Sequence, residues 1–291
     1  MNKRNFCLLV NPNAGNGRSL QLLSKIEAAL STLPLCFRTV ITHDVNEAQQ
    51  QVTQATQLGE YVATVGGDGT VRAIAGILSQ LKGKLAVIPT GRGNDLVRML
   101  KVPLDPISAC RILAHGNETH IDMAKINASV FLGICSLGLD SIANQLANQT
   151  HFIKGRAVYL YGGLRALFKW KPVKFRVIVD DVLYEHEGYT VAVANSQNYG
   201  GGMYLAPDAS IQDGLLDIVL IGKAPKLRIL LNIPRLFKGD HINDPAFRIL
   251  RGRHVRIEAD PEFTVFADGD SICAPPADIT ILPKALHVIV P

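Results

Sequence analysis

The chain has no apolar run of the roughly 18–20 residues that a bilayer-crossing helix needs, although 47% of its 291 residues are hydrophobic. Its first apolar stretch, Phe6–Val10, is too short for the core of a secretion signal. The expectation is a cytoplasmic protein whose membrane contact, if it has any, is peripheral and at the inner face. The five cysteines (Cys7, Cys36, Cys110, Cys135, Cys273) are odd in number and show no C-x-x-C spacing. This argues against zinc or a disulfide framework and for buried, reduced thiols. Walker A and G-x-G-x-x-G are both missing, so neither P-loop nor dinucleotide chemistry is indicated. The histidines, among them His43, His120, His186 and His287, have no metal-ligand spacing and read as satisfied surface or core residues. A net charge of +5 is modest and diffuse. It suits a protein that handles phosphates or an anionic surface and does not indicate nucleic acid.

What is present fits two domains. Phe6–Val10, Phe37–Thr42, Tyr61–Val65 and Leu85–Ile88 are apolar runs of strand length, each followed by a segment of helical spacing. Val71, Ile74, Ala75, Leu78 and Leu81 recur on one helical face. Strand and helix alternating in this way predict a doubly wound parallel α/β domain over residues 1–120, with ligands at the carboxyl ends of its strands. The last residues, 284–291, are candidates to rejoin it. Residues 121–283 read as an antiparallel β-sandwich. Its expected strands are Val130–Cys135, Val173–Val179, Leu183–His186, Tyr189–Ala194, Leu216–Ile221, Val255–Ala259 and Phe263–Ala267, with helices at Ser141–Asn148, Ala157–Phe168 and Leu227–Phe237. Exposed strands of this domain are candidates for pairing between protomers, so a homodimer is an open expectation.

Three glycine-bearing loops follow three of the first strands. Asn11-Pro12-Asn13-Ala14-Gly15-Asn16-Gly17-Arg18 has small residues that let backbone N–H groups approach an anion, and taken alone it is equally an ordinary strand-to-helix turn. Gly66-Gly67-Asp68-Gly69-Thr70 is more informative. Three glycines between an apolar strand and an amphipathic helix permit close backbone approach, and the helix start offers unpaired donors to phosphate. Asp68 is out of place in an anion-binding loop unless a metal or a transferable proton accompanies it. The third loop, Pro89-Thr90-Gly91-Arg92-Gly93-Asn94-Asp95, adds a cation.

N-P-x-x-G, G-G-D-G-T and P-x-G-x-x-N-D in this order resemble the bacterial diacylglycerol kinase family, whose relatives include sphingosine and ceramide kinases. The resemblance continues through Ser136–Asp140, Gly200–Pro207, Asp213-Gly214-Leu215-Leu216-Asp217 and Ala267-Asp268-Gly269-Asp270, and so covers nearly the whole chain. It implies a lipid kinase that binds ATP between a nucleotide domain and a β-sandwich. Asn11, Pro12, Asn13, Ala14, Gly15, Thr42, Gly66, Gly67, Asp68, Gly69, Thr70, Val71 and Arg72 would contact the nucleotide. Mg2+ would be held by the Asp213 carboxylate and the backbone carbonyls of Ser210 and Leu215, a donor set suited to a hard cation. Asp268 and Asp270 stand where the family has D-G-E, so either is a candidate general base, with Asp68 a third.

Two departures from the family pattern matter. The last acid is Asp270 where the family has Glu, and Arg92 replaces the usual Thr. Arg92 can reach a nucleotide phosphate or pair with Asp68 or Asp95. Between Lys154 and Arg176, seven cations (Lys154, Arg156, Arg165, Lys169, Lys171, Lys174, Arg176) interleave with aromatic residues and no acid. That pattern suits transient contact with an anionic membrane surface holding the lipid substrate, or simply a solvated basic face. The alternatives kept open are a NAD kinase or phosphofructokinase-like enzyme, which shares G-G-D-G-T, and a non-catalytic nucleotide- or lipid-binding regulator.

Overall fold

The computed structural model describes residues 3–91, 93–139, 171–200, 202–260 and 263–291. The chain divides into two compact units, Met1–Asp122 with Lys284–Pro291, and Met123–Pro283.

In the first unit, strands β1 (Arg4–Val10), β2 (Leu35–Ile41), β3 (Tyr61–Gly66) and β4 (Lys84–Pro89) alternate with helices α1 (Arg18–Ser31), α2 (Val45–Gln57) and α3 (Asp68–Leu81). Two further helices, α4 (Asp95–Met99) and α5 (Pro106–His115), complete it. The strands pair in parallel in the order β4-β3-β1-β2, and the end of the last strand joins beside β4, His287 opposite Lys84. Phe6 to Val10 are all buried, as expected for a parallel strand. The helices start where side chains can satisfy their first amides. Asp44 accepts from Asn46 N and Glu47 N at the head of α2, and Asp105 accepts from Ser108 N at the head of α5. On α3, Val71, Ile74, Ala75 and Leu78 are buried as the periodicity predicts, but Leu81 at the frayed end is exposed. Of the cysteines, Cys7, Cys110 and Cys135 are buried, whereas Cys36 is exposed on β2.

The second unit is mostly antiparallel. Its strands are β5 (Asn117–Ile126), β6 (Ser129–Phe131), β7 (Ile134–Gly138), β8 (Val173–Val179), β9 (Val182–Ala194), β10 (Asn198–Tyr199), β11 (Met203–Tyr204), β12 (Leu216–Gly222), β13 (Phe247–Gly252), β14 (His254–Glu258), β15 (Val265–Ala267), β16 (Asp270–Cys273) and β17 (Ala277–Val290). β5 begins, and β17 ends, in the first unit. Neighbours run β16-β15-β7-β9-β8-β14-β17, with β12 bridging β9 and β13. Side chains alternate on β9: Val191 and Val193 enter one core, Ala192 and Ala194 a second on the opposite face. That two-sided burial explains the continuous apolar run.

Several strand expectations change. Val130–Cys135 is two strands, broken at Leu132-Gly133, where the amides turn to a side chain described below. Leu183–His186 and Tyr189–Ala194 are one strand, β9, continuous through Gly188. The polar-rich β5, β13 and β16 escape a search for apolar runs, and β17 carries Pro283 and the left-handed Lys284 in its middle. The expected helices Ser141–Asn148 and Ala157–Phe168 lie outside the described residues. Leu227–Phe237 is present as helix α6 (Lys226–Leu236). Among the described residues no helix is long and apolar enough to cross a membrane.

α6 is fastened by Asp244, whose carboxylate accepts from Arg228 Nε (2.9 Å), Asn232 Nδ2 (3.0 Å) and Ala246 N (2.9 Å). These donors, Asn232 first, hold the Asp244 carboxyl down at about 2. Nearby His241 is wholly buried, its Nε2 donating to Leu205 O. Its Nδ1 has no partner among the described residues. Burial lowers the His241 pKa, helped by Arg235 and opposed by Leu205 O and Asp240; burial lowers those of His186 and His287 too. A depressed histidine stabilises the fold fully above its unfolded pKa of about 6.5 and less as pH falls through its folded value. Urea unfolding should therefore show lower stability at pH 5.5 than at pH 7.5, and equal midpoints would contradict neutral burial of these rings.

Candidate active site

The three glycine loops meet at the carboxyl ends of β1, β3 and β4. Gly67 and Gly91 touch backbone to backbone: a Cβ on Gly91 would stand 2.5 Å from the Gly67 Cα. No side chain fits there, which is why both loops carry glycine at the contact. Gly15, at φ +62°, packs on Thr90, where a Cβ would meet the carbonyl oxygen at 2.3 Å. Hydrogen bonds close the cluster. Asn11 Nδ2 donates to Thr70 Oγ1 (2.9 Å), Thr90 N to Gly66 O (2.9 Å), and the Ser19 and Thr90 hydroxyls share a hydrogen bond at 2.7 Å. Asn13 N donates to Asn11 Oδ1 (3.0 Å), which folds Pro12-Asn13-Ala14 into the turn.

The anomaly of Asp68 is resolved by where its carboxylate goes. Its Oδ2 accepts from Asn94 N (2.7 Å) and its Oδ1 from Asp95 N (2.8 Å), so it pins the second loop to the start of α4. Burial pushes its pKa above the usual carboxylate range, against these amides, which pull it down. Meanwhile α3 begins without a side-chain cap, Gly69 is exposed, and a Cβ there would meet nothing within 4 Å. The helix start thus has room beside Gly69 and no side-chain cap, while the acid is turned onto Asn94 and Asp95.

Asn11, Thr42, Gly69 and Thr70 line a cavity of about 180 Å³ with His43 and Asp44, so four of the expected nucleotide contacts share one concavity. Arg72 is half-buried in the first turn of α3. Val71 is not available in the same way: its side chain lies in the core and its N–H donates to Gly67 O (3.0 Å). Arg92 lies outside the described residues. Sequence reasoning missed His43, Asp44 and Ser19 as parts of this cluster; only the place of His43 and Asp44 after β2 and of Ser19 at the start of α1 could have signalled them.

In the second unit, β15 and β16 form a hairpin in which Ala267 pairs with Asp270. The two turn residues, Asp268 (φ 49°) and Gly269 (φ 89°), are both left-handed, the backbone a tight right-twisting hairpin requires. The Asp-Gly turn is therefore real. Asp268 accepts from Leu132 N (2.8 Å), Gly133 N (2.9 Å) and Ile134 N (3.2 Å), the amides that interrupt the strand expected at Val130–Cys135. Gly133 admits this carboxylate because a Cβ would sit 2.7 Å from Asp268 Oδ1. Asp270, by contrast, is exposed at the first position of β16.

Asp213 lies before the left-handed Gly214 (φ 70°), and its Oδ1 accepts from Leu215 N (3.0 Å). Arg251 bonds the other oxygen and also reaches Asp217 Oδ1 at 3.2 Å. The pairing of β12 with β13 puts Arg251 directly opposite Asp217. Asp217 is buried; burial raises its pKa, which Arg251 opposes and Asp213 and Asp208 reinforce. The inner oxygen, Oδ2, lacks a hydrogen-bond partner among the described residues. Local sequence offered no signal for Arg251, since strand pairing alone brings it here.

Comparisons with known proteins agree over the whole length. The family described as the diacylglycerol kinase catalytic domain matches residues 5–126, and the YegS C-terminal NAD kinase beta sandwich-like domain matches residues 133–290. A diacylglycerol kinase of Mycobacterium tuberculosis (strain CDC 1551 / Oshkosh) is 31% identical over 97% of this chain and 94% of the relative. One from Bacillus subtilis (strain 168) is 26% identical over 98% of this chain and 95% of its own. In structure, a diacylglycerol kinase from Bacillus anthracis str. Sterne superposes with a TM-score of 0.77 at 23% identity, covering 100% of this chain and 98% of that one. These matches do not favour the NAD kinase, phosphofructokinase or non-catalytic alternatives.

Proposed function

This chain belongs to the diacylglycerol kinase family and is a phosphotransferase, and from that premise we propose that it transfers the γ-phosphate of ATP to the hydroxyl of diacylglycerol or a related lipid alcohol. The observation that carries the reading is the interlocked glycine cluster, with its uncapped α3 start and the Asp68 carboxylate turned onto Asn94 and Asp95. Backbone donors at Gly69 and Thr70 would hold phosphate, and the fixed loops would supply the positioning on which phosphoryl transfer depends.

Of the three candidate bases, Asp68 and Asp268 have their oxygens committed to backbone amides, whereas Asp270 is exposed. In the proposed reaction Asp270 takes the proton of the lipid hydroxyl. The alkoxide oxygen bonds to the γ-phosphorus, the bond to the β,γ-bridging oxygen breaks, and ADP leaves. The implied magnesium ion would lie at the Asp213 turn, where the Asp213 carboxylate accepts from Leu215 N and bonds Arg251, so Arg251 would have to give way to the ion. Beside the turn, Asp217 Oδ2 has no hydrogen-bond partner among the described residues and offers one further oxygen. Asp213 with the carbonyls of Ser210 and Leu215 would hold the ion, which when bound neutralises charge on the transferring group. Among the described residues no three His, Cys, Asp or Glu side chains form a metal cluster, so backbone carbonyls, water and phosphate would complete the shell.

The test is γ-labelled ATP with Mg2+ and a panel of acceptors: diacylglycerol, ceramide, a sphingoid base and NAD. Label in a lipid product supports the reading. Label only in NAD, or ATP binding without transfer to any acceptor, rejects it.

A further inference from the structure

Helix α6 is apolar on two opposite sides. One side is accounted for: Ile229 enters the second core of this unit, with Leu230 and Leu236 packed against it. At 100° per residue, Leu227 and Leu231 stand about 160° to either side of Ile229, hence together on the far face. Both are 65% exposed, and Phe237 at the helix end is 38% exposed. Tyr204, 37% exposed, lies beside the turn that follows the helix, its Cβ 3.9 Å from where a Cβ on Gly239 would be. Single exposed leucines are common on protein surfaces, but two leucines paired at i, i+4 on one face make a small patch.

The border of the patch is basic. Between Asp217 and Asp240 the chain has no acidic residue, while Lys223, Lys226, Arg228, Arg235 and Lys238 flank the leucines. The nearby acids only partly offset them. Lys223 pairs with exposed Glu187, and Arg228 and Arg235 lean on buried Asp244, which fastens the helix from the protein side. Five cations facing Glu187, Asp240 and Asp244 leave an excess of positive charge. Apolar side chains in the centre with long lysine side chains around them match a bilayer interface: leucines enter the acyl boundary while lysine stems reach up to phosphate headgroups, and Arg228 and Arg235 stay with Asp244. A second protein would need a complementary acidic groove, which charge alone does not choose over a lipid surface. A kinase acting on a bilayer-resident alcohol must meet an anionic bilayer in any case.

We propose that the Leu227–Leu231 face of α6, with its basic border, is the surface by which this protein docks on an anionic lipid bilayer. The proposal rests on the lipid-kinase reading and adds to it the element that delivers the enzyme to its substrate. It differs from the segment Lys154–Arg176 that composition pointed to, most of which lies outside the described residues. α6 rests on the layer that begins at Ile134, whose amide is bonded to Asp268. The docking face and the candidate catalytic hairpin therefore belong to one packed unit.

The experiment is co-sedimentation of the full chain with phosphatidylglycerol-containing vesicles and with pure phosphatidylcholine vesicles, for the wild type and the double variant Leu227→Ser/Leu231→Ser. Both positions are exposed, so thermal unfolding should be unchanged, and activity on a water-soluble short-chain diacylglycerol should match wild type. Vesicle affinity should fall about tenfold or more, as should phosphorylation of diacylglycerol embedded in vesicles, and high salt should weaken wild-type binding. Undiminished binding by the double variant, or no wild-type preference for anionic vesicles, overturns the docking proposal while leaving the kinase reading intact. Sedimentation showing that the substitutions dissolve a dimer without changing vesicle affinity also overturns it, in favour of a second copy on this face. Absence of turnover of the soluble substrate by wild type counts against the kinase reading instead, because vesicle binding is read without catalysis.

Discussion

Asp270→Asn is expected to lower kcat for lipid phosphorylation by about 10²–10⁴-fold, the range for loss of a general base. ATP affinity and the unfolding midpoint should stay near wild type. The amide keeps the size and nearly the shape of the carboxylate but loses its charge and its capacity to accept the hydroxyl proton. The position is exposed at the head of β16. Asp268 gives the contrasting result. Its carboxylate holds the amides of Leu132, Gly133 and Ile134, and in Asp268→Ala these lose their acceptor. Buried amides stripped of a charged partner cost about 1–3 kcal/mol each before water compensates. Asp268→Ala should therefore lower the unfolding free energy by at least about 2 kcal/mol, with activity falling as a consequence of structure. Measuring kcat, ATP affinity by calorimetry and urea stability on both variants separates the roles. Wild-type kcat in Asp270→Asn, with a collapse in a stably folded Asp268→Ala, would move the base to Asp268.

The one-residue distinction between these two acids was not legible in the sequence, because both fall in the same Asp-Gly-Asp string. It depends on a contact with amides more than a hundred positions away, and the sign of that contact, a break in the apolar run at Leu132-Gly133, looks like ordinary strand. The parallel α/β order of the first strands was legible because β1, β3 and β4 are buried on both faces and each helix carries one apolar stripe. Short antiparallel strands with polar residues on both faces, such as β13 with Arg248 and Arg251, carry no such mark, so Arg251 opposite Asp217 could not be foreseen. The far face of α6 was hidden for a related reason. Its leucines contribute to an apolar pattern that reads as core, and only the packing shows which of them the core uses.

Asp68 is where sequence and geometry differ most in meaning, and Asp68→Ala is the second variant with a large expected effect. An acid inside a phosphate loop suggests direct chemistry, yet both of its oxygens are bonded to the amides of Asn94 and Asp95. Two charge-assisted hydrogen bonds of about 1.5–3 kcal/mol each would be lost, and the third loop would no longer be tied to the second. Gly93 shows how tightly they fit: a Cβ there would come within 2.8 Å of Asp68 Oδ2. The cluster's value lies in backbone positions held against one another, so the loss should appear as weaker nucleotide binding, roughly 10²-fold in Kd for ATP by the same energies. The unfolding free energy should fall by about 2–4 kcal/mol. At saturating ATP, kcat should fall far less than in Asp270→Asn. Asp68→Asn should lie between, since its Oδ1 can still accept one amide while its NH2 group opposes the other. The opposite pattern, kcat abolished with ATP affinity and stability unchanged, would mean that Asp68 takes part in proton transfer directly and that its amide contacts are incidental. Because the two readings differ in which measured quantity moves, Kd and stability for a pin or kcat for a base, the three measurements on Asp68→Ala decide between them.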